Sequence, residues 1–174
     1  RHVPRSGKTL ELAVDLRFKL RNTLIVLCKL KEIEQCLSEA TPIIAELGDK
    51  SRGARHASFM CNHHFLAAEP RRAIEVGEQG LRLAREIGDR VAEAELLYRV
   101  GQAYHLRGEH RKAISMIKES LRHGLERRER DRFELAFVPE VFFRTWLVSI
   151  LAECGDFQAG MIHARNAVAT AAET

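Results

Sequence analysis

The sequence predicts an all-α chain made of helix pairs stacked in line. Three observations carry this. Prolines are few, at Pro4, Pro42, Pro70 and Pro139, and Leu, Ala, Glu and Arg dominate between them; these are strong helix formers. Apolar residues recur three and four apart with no sustained alternation, which suits helices and not strands. The chain also repeats itself: AELGDKSRGAR returns forty residues later as REIGDRVAEAE, and AAEPRRAIEVGEQGLRLA returns as RGEHRKAISMIKESLRHG. A period of that length marks units that bury their apolar faces by stacking on a neighbour.

Taken in order, residues 1–9 read as a polar lead-in and 10–174 as a single helical domain. Helices are predicted over 10–28, 32–47, 51–67, 70–87, 91–107, 110–128, 138–154 and 158–172, forming the pairs 10–47, 51–87, 91–128 and 138–172. Pro42 falls inside the second helix, where it removes a hydrogen bond, so a kink or a later helix start is expected. Gly48 and Gly88 supply the left-handed residue that closes a helix, and Asp49 and Asp89 after them can cap the next one. Pro70 occupies a first turn, where a missing N–H costs little. Ala73, Ala113 and Gly160 fall in one small-residue slot, with Cys36 as its counterpart in the first pair. Residues 129–137 form the longest break, so the third pair should carry an extended helix or a longer loop.

The 174 residues suffice for one domain with a sizeable core. Hydrophobic residues make up 45% and charged residues 30%, a soluble globular balance. No apolar run reaches a membrane-spanning length, and no secretory signal is visible. The net charge of +4 comes from mixed signs; LERRERDRFE interleaves four acids with four arginines, unlike a phosphate-binding patch. Cys28, Cys36, Cys61 and Cys154 form no C-x-x-C pair and sit in apolar helical patterns, which fits reduced, buried thiols and a cytoplasmic location. The first residue is Arg1, so the expectation is a fragment of a longer protein.

Motifs for chemistry are incomplete. SGKT at Ser6–Thr9 matches the tail of a phosphate-binding loop, but the required first glycine would fall at His2 and no strand precedes it. Cys61 and His64 share a helix face, yet structural zinc needs four ligands and no second pair stands nearby. No G-x-S-x-G elbow occurs. The reading is a non-enzymatic chain with no catalytic, cofactor or metal residues.

The third pair has Leu97, Val100, Gly101 and Tyr104 in its first helix, then Gly108, Ala113 and Ile117. This resembles the tetratricopeptide repeat (TPR), with the second pair (Ala57, Met60, Cys61, His64, Ala73, Gly77) and the first (Leu20, Leu24, Leu27, Cys36, Ala40) as weaker copies. The fourth offers Leu147, Val148, Leu151, Gly155, Gly160 and Ala164. The resemblance implies a right-handed superhelical solenoid of four pairs. AVDLRFKLRNTLIVL, VGQAYHLRGEHRKAI and PEVFFRTWLVSILAECGDFQAG also resemble the repeat region of bacterial signalling proteins, which follows an adenylate or guanylate cyclase domain and an ATPase, and of related ATPase-containing transcription regulators. Any cyclase or ATPase activity would then lie upstream.

In such a stack the first helices line a concave surface that takes peptides or helices. Superimposing the repeats predicts Phe18, Arg21, Ile25 and Cys28 facing inward from the first. They are followed by Arg55, Ser58, Asn62 and Phe65 from the second, Glu95, Tyr98, Gln102 and His105 from the third, and Phe142, Thr145 and Ser149 from the fourth. Asn62 and Gln102 could bond an extended backbone, and Arg21 and Arg55 a carboxylate. Trp146 reads as core between the last pairs, and Phe142 as the most exposed of Phe142, Phe143 and Trp146. The expected partner is a protein or peptide, including other domains of the parent chain. A homodimer through an apolar end helix and nucleic-acid contact in a transcription regulator are alternatives; the mixed charge disfavours the latter, and no membrane is expected.

Overall fold

Ser6 caps the first helix. In the computed structural model, which describes residues 6–125 and 139–173, its side chain accepts from Thr9 N while Thr9 Oγ1 accepts from Ser6 N at 2.8 Å. This reciprocal cap satisfies two of the free donors at a helix start. SGKT is therefore a helix cap, and the helix begins at Gly7 rather than near Leu10.

Eight helices occur among the described residues, and no strand: α1 Gly7–Val26, α2 Leu30–Leu47, α3 Lys50–Leu66, α4 Pro70–Glu86, α5 Arg90–Leu106, α6 His110–Leu125, α7 Pro139–Glu153 and α8 Phe157–Ala172. None of them is long and apolar enough to cross a membrane. The expected break at 129–137 and the acid–arginine run beside it lie outside the described residues. α2 begins at Leu30 and runs through Pro42 as one helix, so the later start is not observed. Pro42 and Ser38, whose carbonyl loses its donor, are both exposed, and water can replace the missing bond.

The helix ends are closed as their sequences dictate. Gly48 and Gly88 have φ of 61° and 68°, Asp49 accepts from Arg52 N, and Asp89 accepts from Val91 N and Ala92 N. The first helix of each pair also ends in a left-handed residue: Cys28, Ala68, Gly108 and Gly155, with φ between 54° and 78°. The first three stand forty residues apart, and so do buried second-helix positions: Ile33, Ala73 and Ala113, then Leu37, Gly77 and Ile117.

That register corrects the alignment of the first pair. Ile33, not Cys36, is the counterpart of Ala73. Leu20 and Leu27, expected to pack between helices, are 51% and 60% exposed, while Val14 and Phe18 are buried with Ile33, Leu37 and Phe59. The slip is three residues.

Close helix crossings hold the pairs together. A Cβ on Gly101 would lie 2.7 Å from Ile117 Cγ1 and 3.3 Å from the Ala113 carbonyl oxygen. One on Gly77 would run into Val100 Cγ2 and Cys61 Sγ. Gly160 is looser, its nearest neighbour being Val148 O at 3.7 Å. Arg52 ties the first helices of the first two pairs, donating to Asp15 at 3.1 and 2.9 Å and to Asp49 at 2.6 Å.

Candidate functional site

The forty-residue register aligns Asn22, Asn62 and Gln102 as one amide per repeat on the first helices α1, α3 and α5. Asn22 escapes the sequence alignment because of the three-residue slip; the recurring left-handed residues at 28, 68 and 108 are the signal that finds it. Arg21 joins two of the amides. Its Nη1 donates to Asn22 Oδ1 at 3.2 Å and its Nη2 to Asn62 Oδ1. Gln102 donates to the Tyr98 hydroxyl at 2.9 Å, and its Oε1 lies 3.4 Å from Arg99 Nη1.

Three guanidiniums gather around these amides. Arg21 lies 4.5 Å from the Phe59 ring centre, and Arg55 lies 5.3 and 5.5 Å from those of Phe18 and Phe59. Arg99 lies over Tyr98 at 5.5 Å and 4.0 Å from Glu95. The pKa of Arg21 falls from 12.5 to about 10, chiefly through burial and then through repulsion from Arg99, with Glu95 opposing the fall and Arg55 adding to it. Arg21 is 4% exposed, and its Nε has no hydrogen-bond partner. The cluster brings three guanidiniums to one face, with Glu95 beside Arg99, in surroundings where charge is weakly screened.

Toward the C-terminal end the same face becomes aromatic. Trp146 packs edge-on against Phe65 at 5.8 Å, Tyr98 at 6.5 Å and His105 at 5.5 Å. Phe65 is on α3 and Trp146 on α7, so side chains from non-adjacent pairs meet across α5. The core reading of Trp146 holds in part: it borders the core formed by Phe143, Leu147 and Ile117, but it also belongs to this inner face. Phe142, 37% exposed, is the most open of its group and meets Tyr98 at 6.1 Å.

The inward set thus divides. Arg21, Ser58, Asn62, Tyr98 and Gln102 are buried, and Arg55, Phe65 and His105 half-buried among them. Ser58 Oγ is buried without a partner. Ile25 packs against the Phe18–Phe59 core, while Cys28, like Cys154, is exposed at a helix end rather than buried as expected. Thr145 and Ser149 are exposed and return their hydroxyls to Val141 O and Thr145 O. Arg99 and Phe59, absent from the sequence alignment, lie forty residues apart on the same face.

Cys61 and His64 do not converge. Cys61 is fully buried, and burial pushes its thiol up to about 12, while His64 Nδ1 turns to Glu69 Oε2 at 2.8 Å.

No family model matches the chain, and no curated protein matches it. Solved structures do. The apo form of RapI superimposes with a TM-score of 0.76 at 15% identity, covering 95% of this chain and 57% of that one. A STAND protein with a tetratricopeptide repeat sensor, PH0952 from Pyrococcus horikoshii, gives 0.67 at 18%, covering 94% and 24%. A kinesin light chain with TPR-like repeats from Podosopora anserina gives 0.68 at 14%, covering 98% and 79%. The chain therefore spans a little over half of RapI and about a quarter of the STAND protein. At these identities the likeness concerns the fold, and the fold is that of a TPR-like solenoid of antiparallel helix pairs.

Proposed function

We propose that this chain is a non-catalytic protein-interaction module whose inner face holds an acidic peptide, helix or neighbouring domain. One observation carries the reading: a repeated amide series, Asn22, Asn62 and Gln102, bordered by the guanidiniums of Arg21, Arg55 and Arg99. Amides one repeat apart suit the repeating backbone of an extended partner. Guanidiniums suit its carboxylates. The aromatic ledge of Phe65, Tyr98, Trp146 and Phe142 offers an apolar anchor of the kind that carries binding energy.

In the parent protein this module would serve as the sensing region of a cytoplasmic, multidomain signalling protein with an ATPase or cyclase domain. The STAND structure, whose repeat is described as a sensor, supports that placement. Capture from the source cell tests the partner reading, with wild-type chain and a variant carrying Arg21→Ala, Arg55→Ala, Asn62→Ala and Gln102→Ala. A labelled Glu-rich peptide read by fluorescence anisotropy tests the chemistry, with a Lys-rich peptide as control. Retention of the Glu-rich peptide by wild type, and its loss in an Arg99→Gln variant of unchanged circular dichroism, is expected. Equal retention of both peptides, or of the same partners by the quadruple variant, removes the reading. A DNA duplex retained at low salt and released at high salt would favour a nucleic-acid role instead.

A further inference from the structure

His105 ends α5, His110 begins α6 and Glu153 ends α7, so three helices bring three donor side chains to the seam between the third and fourth pairs. His105 Nε2 lies 2.8 Å from Glu153 Oε2, and His110 Nδ1 lies 3.8 Å from the same oxygen. All three donor atoms fall within 4.8 Å of one another. His110 Nδ1 is buried and makes no hydrogen bond, although it faces the carboxylate. The two imidazole rings are 5.5 Å apart. A tetrahedral zinc ion with bonds of about 2.0–2.2 Å needs donor atoms roughly 3.4 Å apart. The two separations from Glu153 Oε2 bracket that value, and the exposed Glu153 side chain has room to rotate toward it.

We propose that His105, His110 and Glu153 form a site for a divalent transition ion of borderline softness, with Zn2+ as the reference occupant. Two neutral imidazoles and one carboxylate are the donors such ions prefer, and a fourth position stays open to water. The ion displaces the proton that His105 otherwise shares with Glu153, and it gives the unsatisfied Nδ1 of His110 a partner. It cross-links α5, α6 and α7 and so fixes the fourth pair against the third, beside the aromatic ledge. The other His–carboxylate cluster, Glu93, Glu119 and His123, is a poorer candidate. Its Glu93 oxygens are taken by Arg85 at 2.8 Å and Arg90 at 3.0 Å.

Trp146, the chain's single tryptophan, packs 5.5 Å from the His105 ring and serves as an internal reporter. The test uses the purified chain freed of metal by a chelator. Titration calorimetry with Zn2+ measures stoichiometry and affinity, and Cu2+ quenching of Trp146 emission reports location. The expected result is one Zn2+ per chain, with quenching complete at one equivalent of Cu2+. His110→Gln and Glu153→Gln should each weaken Zn2+ binding by roughly tenfold or more, and His123→Gln should leave it unchanged. Circular dichroism matching wild type shows that a weakened variant is still folded. No stoichiometric Zn2+ binding by wild type, undiminished binding by His110→Gln, or loss only in His123→Gln overturns the proposal. A metal site established without any peptide binding would leave it standing while the interaction reading fails.

Discussion

Arg21 donates to the side-chain amide oxygen Oδ1 of Asn62, linking α1 to α3 across forty-one positions of sequence. Both side chains are almost fully buried, at 4% and 5% exposure. A hydrogen bond from a charged donor in such a place is worth about 1.5–3 kcal/mol. It holds the first pair against the second and sets the spacing of the amides on the inner face.

This bond can be weighed by a double-mutant cycle. Arg21→Ala, Asn62→Ala and the double variant should show a coupling of about 1.5–3 kcal/mol in urea unfolding. Each single variant strands a buried partner, so the double should be less destabilised than the sum of the singles. A coupling indistinguishable from zero would mean the two side chains contribute independently.

Two glycines at helix crossings within a pair, Gly101 on α5 and Gly160 on α8, should respond with opposite signs. Gly101→Ala drives a methyl to 2.7 Å from Ile117 Cγ1 and against the Ala113 carbonyl. Overpacking of this kind costs about 1–3 kcal/mol. Gly160→Ala meets nothing nearer than 3.7 Å, and alanine is favoured over glycine within a helix by about 1 kcal/mol. Thermal melts of the two variants should move in opposite directions. A shared direction would show that the crossing of α5 and α6 is no tighter than that of α7 and α8.

The helix count, the pairing and the caps at Gly48–Asp49 and Gly88–Asp89 were legible because each is written in local chemistry. The register of the first pair was not. Its first helix closes on Cys28, and the second pair's on Ala68, where the other pairs use Gly108 and Gly155. A left-handed cap without glycine leaves no mark in sequence, so the alignment slid by three and Asn22 was missed. Arg99 was passed over because its role depends on what lies across the face from it. Trp146 was read as core for the same reason: an apolar residue at helical spacing looks alike whether it meets its own pair or Phe65 on α3.

Those two caps make a stability prediction. Cys28 and Ala68 hold φ of 54° and 58°, a region that crowds any Cβ against the backbone and costs an L-residue about 1–2 kcal/mol. Glycine removes that cost but gains freedom in the unfolded chain, so part is returned. Ala68→Gly should raise stability by about 0.5–1 kcal/mol, and Cys28→Gly by a similar amount. Urea midpoints read the change. A loss of stability in both would mean the left-handed turns carry no strain.

Acid should act on this fold in two separate windows. Burial lowers the pKa of His56 below 6.5, opposed by the bond its Nε2 makes to Leu37 O at 2.9 Å. Burial also lowers His63, helped by His64, and His163, helped by Arg144. The unfolded chain therefore takes up protons near pH 6.5 that the folded chain still refuses. Stability is full above that pH and declines as pH falls toward the depressed folded values, because the unfolded state binds more protons there. The carboxylates act later. Glu69 is held low by His64 and Arg72. Asp49 and Glu93 are raised by burial, but their arginine partners outweigh this and hold them low. Their contribution persists until pH falls below the ordinary carboxylate values of 3.8 and 4.5. Urea midpoints measured from pH 8 to 5 should decline in the upper window, and His56→Gln should flatten that decline while leaving the lower one in place. A midpoint that holds steady or rises on acidification to pH 5 would show that these imidazoles take up protons as readily in the fold as outside it.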